Sequence, residues 1–310
     1  MPLKKLPPQE LSPDTERQIN ETRANAYAAN TRKGYNTDWK QFQTFCLDHD
    51  LEGLPASPRT LEIYINSIKD RYKLSTILRK VSAISKGHAR AKVDNPVVDI
   101  DFKEYLKGLK NERKVETTDK AEPLLKTDIE RVCLKLQAED SPRAMRDQVI
   151  LLLGFFGAFR RSELVELKWD DLKRDDDGYT ATVRFSKSDQ TGEGQVKFLP
   201  YQAKVHLCPV RTLDTFRNRH TSDYVFPSMS SRGKILKPQM SAKAVDRLVK
   251  RYFGAGYSAH SLRAGFITAA ANAGAAYHEI SKQSGHKHMP TLQGYIRNKE
   301  AKEGNAVLKL

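Results

Sequence analysis

From Asn30 onward, Tyr35, Trp39, Phe42, Phe45 and Cys46 recur three to four positions apart. That spacing lines one face of an α-helix, with Asn30 placed to cap its start. Ser57-Pro58 carries the signature of a second helix start, a capping hydroxyl followed by a proline in the first turn, and Leu61, Tyr64, Ile65 and Ile68 form its apolar stripe. A third helix is predicted from Ser75, with Ile77, Leu78, Val81 and Ile84 on one side and Arg79, Lys80, Lys86, Arg90 and Lys92 largely elsewhere.

In the second half, Thr127 is positioned to cap a helix after Pro123, and Gln148 through Phe156 is apolar enough to be a helix buried on all sides. Tyr179 to Phe185 then alternates as a strand, Gln190-Thr191-Gly192-Glu193-Gly194 turns the chain, and Gln195 to Pro200 returns it. The pattern therefore predicts a mainly α protein with a small antiparallel β-sheet, and a β-hairpin that carries Lys187 near its tip.

The segment 111–120 has almost no apolar residue and reads as a linker. With 310 residues, more than one core usually holds, the chain divides into a disordered tail (1–20), a helical domain (21–112), a linker (113–122) and a second domain with its own tail (123–310).

Charge sharpens that division. The net charge is +15, which points to a polyanionic partner, either nucleic acid or an acidic membrane surface. Between Lys69 and Lys92 eight basic residues face one acid, Asp70, and between Arg232 and Arg251 seven face one, Asp246. Each domain thus has a candidate DNA-facing surface: Arg79, Lys80, Lys86, Arg90 and Lys92 in the first, Arg161, Lys243, Arg247 and Lys250 in the second. Nothing in the sequence resembles a membrane-spanning run or a secretory leader. Cys46, Cys133 and Cys208 have no metal-ligand spacing and point to neither a disulfide framework nor a zinc site. The expected compartment is the cytoplasm, and neither a metal nor another cofactor is expected.

The chemistry-bearing residues come late. His260-Ser261-Leu262-Arg263, Gly285-His286 and Tyr295-Ile296-Arg297-Asn298 follow one another, with Ala158-Phe159-Arg160-Arg161-Ser162-Glu163 and Ser186-Lys187-Ser188-Asp189 upstream. Arginine forks bind two phosphate oxygens at once and stay charged, histidines donate or shuttle protons near neutral pH, and a phenol can attack phosphorus once cations and a base assist it. His260 stands one helical turn before Arg263. Arg161 rivals Arg160 for the first clamp position, and Glu163 suits a task of holding a neighbour, since a carboxylate repels a phosphodiester. Tyr257, Tyr277, His278 and His288 lack such flanking patterns.

This ordered set resembles the tyrosine recombinase (phage integrase) family, and Tyr295-Ile296-Arg297-Asn298 is most similar to its Cre-like branch. That branch has tryptophan at the position of His286, so the likeness to it is incomplete. The resemblance selects Arg160 with Glu163 and implies roles: Arg160 and Arg263 clamp the phosphate, His260 helps deprotonate Tyr295, His286 hydrogen-bonds the phosphate, and Lys187 is general acid to the leaving 5′-oxygen. It also implies a C-shaped clamp of core-binding and catalytic domains on duplex DNA with inverted half-sites. Four protomers would act through 3′-phosphotyrosine and Holliday-junction intermediates, linked by exchange of the apolar tail around Ala306, Val307 and Leu308. A nucleoid-associated protein of prokaryotic, phage or plasmid origin is expected, working without an arm-binding domain. Two other readings stay open: the same chemistry used by a type IB topoisomerase or telomere resolvase, and a DNA-binding protein without catalysis.

Overall fold

The computed structural model describes residues 12–25, 29–113, 122–184, 194–219, 221–230 and 232–286. The chain divides into two units, Met1–Thr118 and Asp119–Leu310.

The first unit is helical: α1 (Pro13–Asn25), α2 (Ala29–Asp48), α3 (Pro58–Ile68), α4 (Leu74–Ala91) and α5 (Ile100–Glu112). The α1 helix corrects the expected disorder of residues 1–20 from Pro13 onward; Ser12 Oγ accepts the Thr15 amide, and Asp14 and Glu16 complement the exposed amides of the first turn. Ser57 caps α3 as its sequence signature predicts, accepting the Thr60 amide at 3.0 Å. Helix α4 starts at Leu74, one residue ahead of the expected Ser75. The stripes of α2, α3, α4 and α5 meet in one core around Phe42, Leu61, Ile65, Ile77, Ile84 and Phe102, all completely buried. Burial of each such side chain contributes about 1.5–3 kcal/mol.

The second unit is built around α7 (Pro142–Phe156), whose residues Ala144 and Arg146 to Phe155 are buried. Helices α6 (Lys126–Glu139), α9 (Pro209–Arg217) and α11 (Ala259–Asn272) pack on it, together with α8 (Arg161–Glu166) and α10 (Ala242–Phe253). The predicted buried run from Gln148 is only the second half of α7. Its true start, Ser141-Pro142, has the same cap-plus-proline signature as Ser57-Pro58, and Ser141 accepts the Ala144 amide at 3.0 Å. Helix α6 begins at Lys126 without a side-chain cap, so Thr127 is not its cap.

The hairpin strands β2 (Gly178–Val183) and β3 (Gln195–Pro200) lie where the alternation placed them, and β1 (Leu172–Arg174) adds to the β2 edge, giving an antiparallel sheet in the order β1-β2-β3. Ala181 stands opposite both Leu172 and Lys197. A second pair, β4 (Ser228–Met229) with β5 (Ile235–Lys237), precedes α10. Helix α12 (Tyr277–Ser284) packs on both α11 and β3. Among the described residues, no helix is long and apolar enough to cross a membrane.

Candidate active site

The site grows from the turn between α7 and α8. Ala158 sits there in the left-handed region at φ 47°, which costs a residue with a Cβ on the order of 1–3 kcal/mol and recurs where geometry is imposed by function. Arg160 then occupies the N-cap of α8, and Glu163, three residues on, turns back to it. One carboxylate oxygen of Glu163 accepts the Arg160 amide at 2.9 Å and the other accepts Arg160 Nη1 at 2.6 Å. The same side chain therefore caps the helix and aims the guanidinium, the reciprocal arm of a capping box. Glu163 is 3% exposed. Burial alone pushes its carboxyl pKa up, but Lys197, the Arg160 amide and the Arg160 guanidinium together outweigh it and hold the group below the usual carboxylate range.

Arg263 enters from α11 and is almost fully buried, its Nη1 donating to the Ala158 carbonyl at 2.7 Å. Gly265, two residues further along the helix, permits the close packing that seats α11: a Cβ there would lie 2.1 Å from the Leu124 carbonyl oxygen. His260, on the same helix, keeps an exposed edge, while packing around its inner side and the charges of Arg263 and Arg160 lower its pKa.

His286 arrives by a third route. Helix α12 ends at Gly285, in the left-handed region at φ 69°, where a Cβ would strike the Gln195 side chain at 2.2 Å. The left-handed backbone is what favours glycine here, because the Gln195 amide is the end of a flexible side chain that can move aside. The Gly285 carbonyl accepts Arg160 Nη2 at 3.4 Å, and Arg263 Nη2 lies 3.2 and 3.3 Å from the two ring nitrogens of His286. Ser284 Oγ is 2.8 Å from His286 Nδ1. Burial first, then Arg263 and Arg160, push the imidazole pKa down to about 3, so the ring is neutral at physiological pH.

Of the predicted site residues, the structure brings Arg160, Glu163, Arg263 and His286 into one cluster, with His260 beside it on α11. Lys187 and Tyr295 lie outside the described residues, as do His288 and the tail around Ala306, Val307 and Leu308. Sequence reasoning missed three participants: Ser284, Gln283 and Lys197. Gln283 donates to the carbonyls of Phe156 (2.9 Å) and Phe198 (2.7 Å) and accepts the Phe198 amide, fastening α12 to β3. Lys197 is completely buried, with a pKa pushed down to about 7 by burial and by Arg263 and Arg160, against the opposing pull of Glu163. Its placement was legible: with Leu199 inward on β3, a period of two turns Lys197 inward as well.

The basic surfaces divide. On α10, Lys243, Arg247 and Lys250 are all exposed at spacings of four and three, on one helix face. Arg161 is instead paired with Asp246. On α4, Arg79 and Arg90 are exposed, as is Lys92 at the helix C-cap, and Lys86 is half-buried with its ammonium 4.2 Å from the centre of the Tyr35 ring. Lys80 must be corrected: it is 2% exposed, bound to Asp38 at 3.3 Å and to Gln41, and so belongs to the packing of α2 against α4. Its aliphatic stem follows the apolar stripe, and Asp38, itself 2% exposed, needs its charge. Arg79 pairs with the same carboxylate at 2.6 Å while remaining half-exposed.

Fold and cluster together define a mainly helical domain in which two arginines and a neutral histidine converge at the edge of a small sheet, an arrangement suited to binding an oxyanion. Comparison with known proteins gives that class its family. The model described as the phage integrase family matches residues 119–302. An integrase/recombinase xerD homolog from Selenomonas ruminantium is 32% identical over 97% of this chain and 89% of its own length. A tyrosine recombinase XerC from Staphylococcus aureus (strain MSSA476) is 24% identical over 87% and 86%. The chain belongs to the phage integrase family of tyrosine recombinases. Among solved structures, a lambda integrase(75-356) dimer bound to a COC' core site is similar at TM-score 0.60 and 18% identity, covering 91% of this chain and 93% of that one. The Tn1549 transposon integrase in complex with transposon right end DNA is similar at TM-score 0.60 and 18% identity, covering 93% and 97%. These two likenesses establish the fold.

Proposed function

We propose that the protein is a site-specific DNA recombinase that cuts and rejoins duplex DNA through a covalent phosphotyrosine. The observation that carries this reading is the convergence of Arg160, Arg263 and His286, with Arg263 Nη2 3.2–3.3 Å from the imidazole and Arg160 Nη2 on the adjoining Gly285 carbonyl. Two guanidiniums and a neutral ring that can donate one proton match the non-bridging oxygens of a phosphodiester, whose negative charge grows toward the transition state. The names of its relatives, recombinase and integrase, point the same way.

In this reading, Tyr295 attacks phosphorus, assisted by His260 as proton acceptor. The bond from phosphorus to the 5′-oxygen breaks, Lys187 supplies a proton to that oxygen, and a 3′-phosphotyrosyl ester remains. Attack by the 5′-hydroxyl of a partner strand reverses the step and releases the tyrosine, so ligation needs no external energy source. Lys243, Arg247 and Lys250, with Arg79, Lys86, Arg90 and Lys92, engage the DNA backbone. Arg161 joins them when its pairing with Asp246 is exchanged for a phosphate. The two domains close as a C-shaped clamp, four protomers assemble on two sites with inverted half-sites, and tail exchange links them through a Holliday junction in the Cre-like manner.

The test uses a nicked duplex carrying the inverted repeat found beside the native coding region. Wild-type protein should form a covalent adduct, and Tyr295→Phe should bind equally and form none. On a plasmid with two sites, deletion or inversion products mark a recombinase, whereas relaxation without exchange marks a topoisomerase and hairpin ends a resolvase. Binding without any adduct would leave a non-catalytic DNA-binding protein.

A further inference from the structure

Lys197 is an unusual residue to find where it is. Strand β3 turns Val196 and Phe198 toward solvent, 58% and 40% exposed, while the lysine between them is completely buried. Its ammonium lies 2.8 Å from the Gln283 carbonyl oxygen, 3.3 Å from that of Ala158, 3.9 Å from Glu163 Oε2 and 5.0 Å from the centre of the Phe159 ring. The first two are hydrogen bonds; the Glu163 contact is a longer ion pair.

Three chain segments therefore meet on one cation: the turn leading into Arg160, the cap of α8, and the last turn of α12, which runs through Gly285 to His286. Desolvating a charge beside two arginines is costly, and an apolar side chain of similar volume would fill the space without that cost. What the apolar residue would lack is the ability to hold two carbonyls from different segments at once and to balance the buried Glu163 charge. These segments carry Arg160 and His286 of the proposed phosphate cluster, and the Ala158 carbonyl held by Lys197 also accepts from Arg263.

We propose that Lys197 is a positioning residue for strand cleavage, whose ammonium clamps the Ala158 and Gln283 carbonyls and offsets Glu163, so that Arg160, Arg263 and His286 reach one phosphate together. The role rests on the recombinase reading above. It is distinct from that of Lys187, the proposed acid on the same hairpin, because Lys197 is sealed from the substrate. Burial and the neighbouring guanidiniums lower its pKa to about 7, so the charged clamp holds below neutrality and weakens as pH rises through that value.

The test compares full-length wild type, Lys197→Met, Lys197→Gln, Glu163→Gln and the Lys197→Met/Glu163→Gln double variant on the nicked duplex, with half-site binding by gel shift and folding by thermal melting. Lys197→Met should bind DNA nearly as wild type does while single-turnover adduct formation slows on the order of a hundredfold, the expected cost of misplacing reacting groups by about an ångström. Because the methionine leaves Glu163 balanced by Arg160 alone, and both residues act on the same turn, the double variant should lose less than the sum of the two single losses, a non-additivity that simple loss of packing does not produce. Should Lys197→Met fail to fold, Lys197→Gln, which keeps a neutral donor, carries the same comparison. Adduct formation near the wild-type rate in either folded variant, additive losses in the cycle, or parallel losses of binding and cleavage would overturn the positioning role. Absence of any adduct with the wild-type chain would instead overturn the recombinase reading itself.

Discussion

Arg263 and Lys197 donate to the same acceptor, the carbonyl oxygen of Ala158, at 2.7 and 3.3 Å. Two cations from different elements, α11 and β3, thereby converge on a residue whose own backbone is left-handed. A strained turn persists only where its surroundings over-determine it. Here the two donors supply that determination, and the turn in turn fixes where Arg160 begins α8. The cluster is thus coupled through backbone as well as through side-chain charge.

Arg263→Lys tests that coupling. Lysine keeps the charge but cannot reach the Ala158 carbonyl and the phosphate together, since a guanidinium presents a fork and an ammonium a point. Single-turnover cleavage should fall by roughly 10²–10³, the range for removing one oxyanion donor, while half-site affinity changes little. A variant cleaving at the wild-type rate would show that charge alone suffices at this position.

His286 gives a pH signature. Below its ordinary pKa of 6.5 the unfolded chain takes up a proton that the native ring, held near 3, refuses, so acid favours the unfolded state through this interval. The resulting loss of stability between pH 7 and pH 5 is at most about 2 kcal/mol, reduced by the ring's partial exposure. His286→Asn should remove that loss and flatten the fall in urea midpoint over the interval. His260, lowered in the same direction, retains its own share in the variant. Equal slopes in the two proteins would mean that the native ring takes up its proton as readily as the unfolded one.

Much of this was readable from residue order alone, and the part that was not has a physical pattern. Arg160, Glu163, Arg263 and His286 could be named because chemistry constrains their type and spacing. Helix α3 could be placed because Ser57-Pro58 announces it, and β3 because its alternation is clean. Lys80 was misread because a lysine on a helix is assigned to solvent by default, and only the buried Asp38 across the packing of α2 on α4 shows otherwise. Ser284 and Gln283 act through hydrogen bonds that depend on how α12 docks against β3 and α11, and no local pattern encodes that docking. Helix α1 was missed because its sequence lacks an apolar stripe; its start is marked by the Ser12 cap and the acids after it.

A substrate with sulfur at the 5′-bridging position separates the two hairpin lysines. The thiolate leaves without a proton, so Lys187→Ala should be rescued on it if Lys187 is the general acid. Lys197→Met should show the same defect with oxygen and with sulfur, because its effect falls on the clamp rather than on the leaving group. Rescue of both variants, or of neither, would remove the distinction drawn between them.

The two kinds of basic residue should separate by salt. Each phosphate contact releases a condensed counterion, so affinity falls with log salt at a slope of about −0.9 per contact on duplex DNA. Lys243, Arg247 and Lys250 share an exposed face of α10, and their combined replacement by alanine should weaken binding and make the salt slope shallower by up to about 3, with the melting temperature nearly unchanged. Lys80 is different, because its ammonium is committed to Asp38 and Gln41 inside the first unit. Lys80→Ala would leave Asp38 with a buried charge only partly balanced by Arg79, and removing one partner of a buried pair costs about 3–5 kcal/mol. Because Arg79 remains at 2.6 Å, the lower part of that range applies. The melting temperature should therefore fall while the salt slope of the folded fraction stays at its wild-type value. A shallower slope in Lys80→Ala would return that lysine to the DNA-facing surface, and an unchanged slope in the triple variant would take α10 out of it.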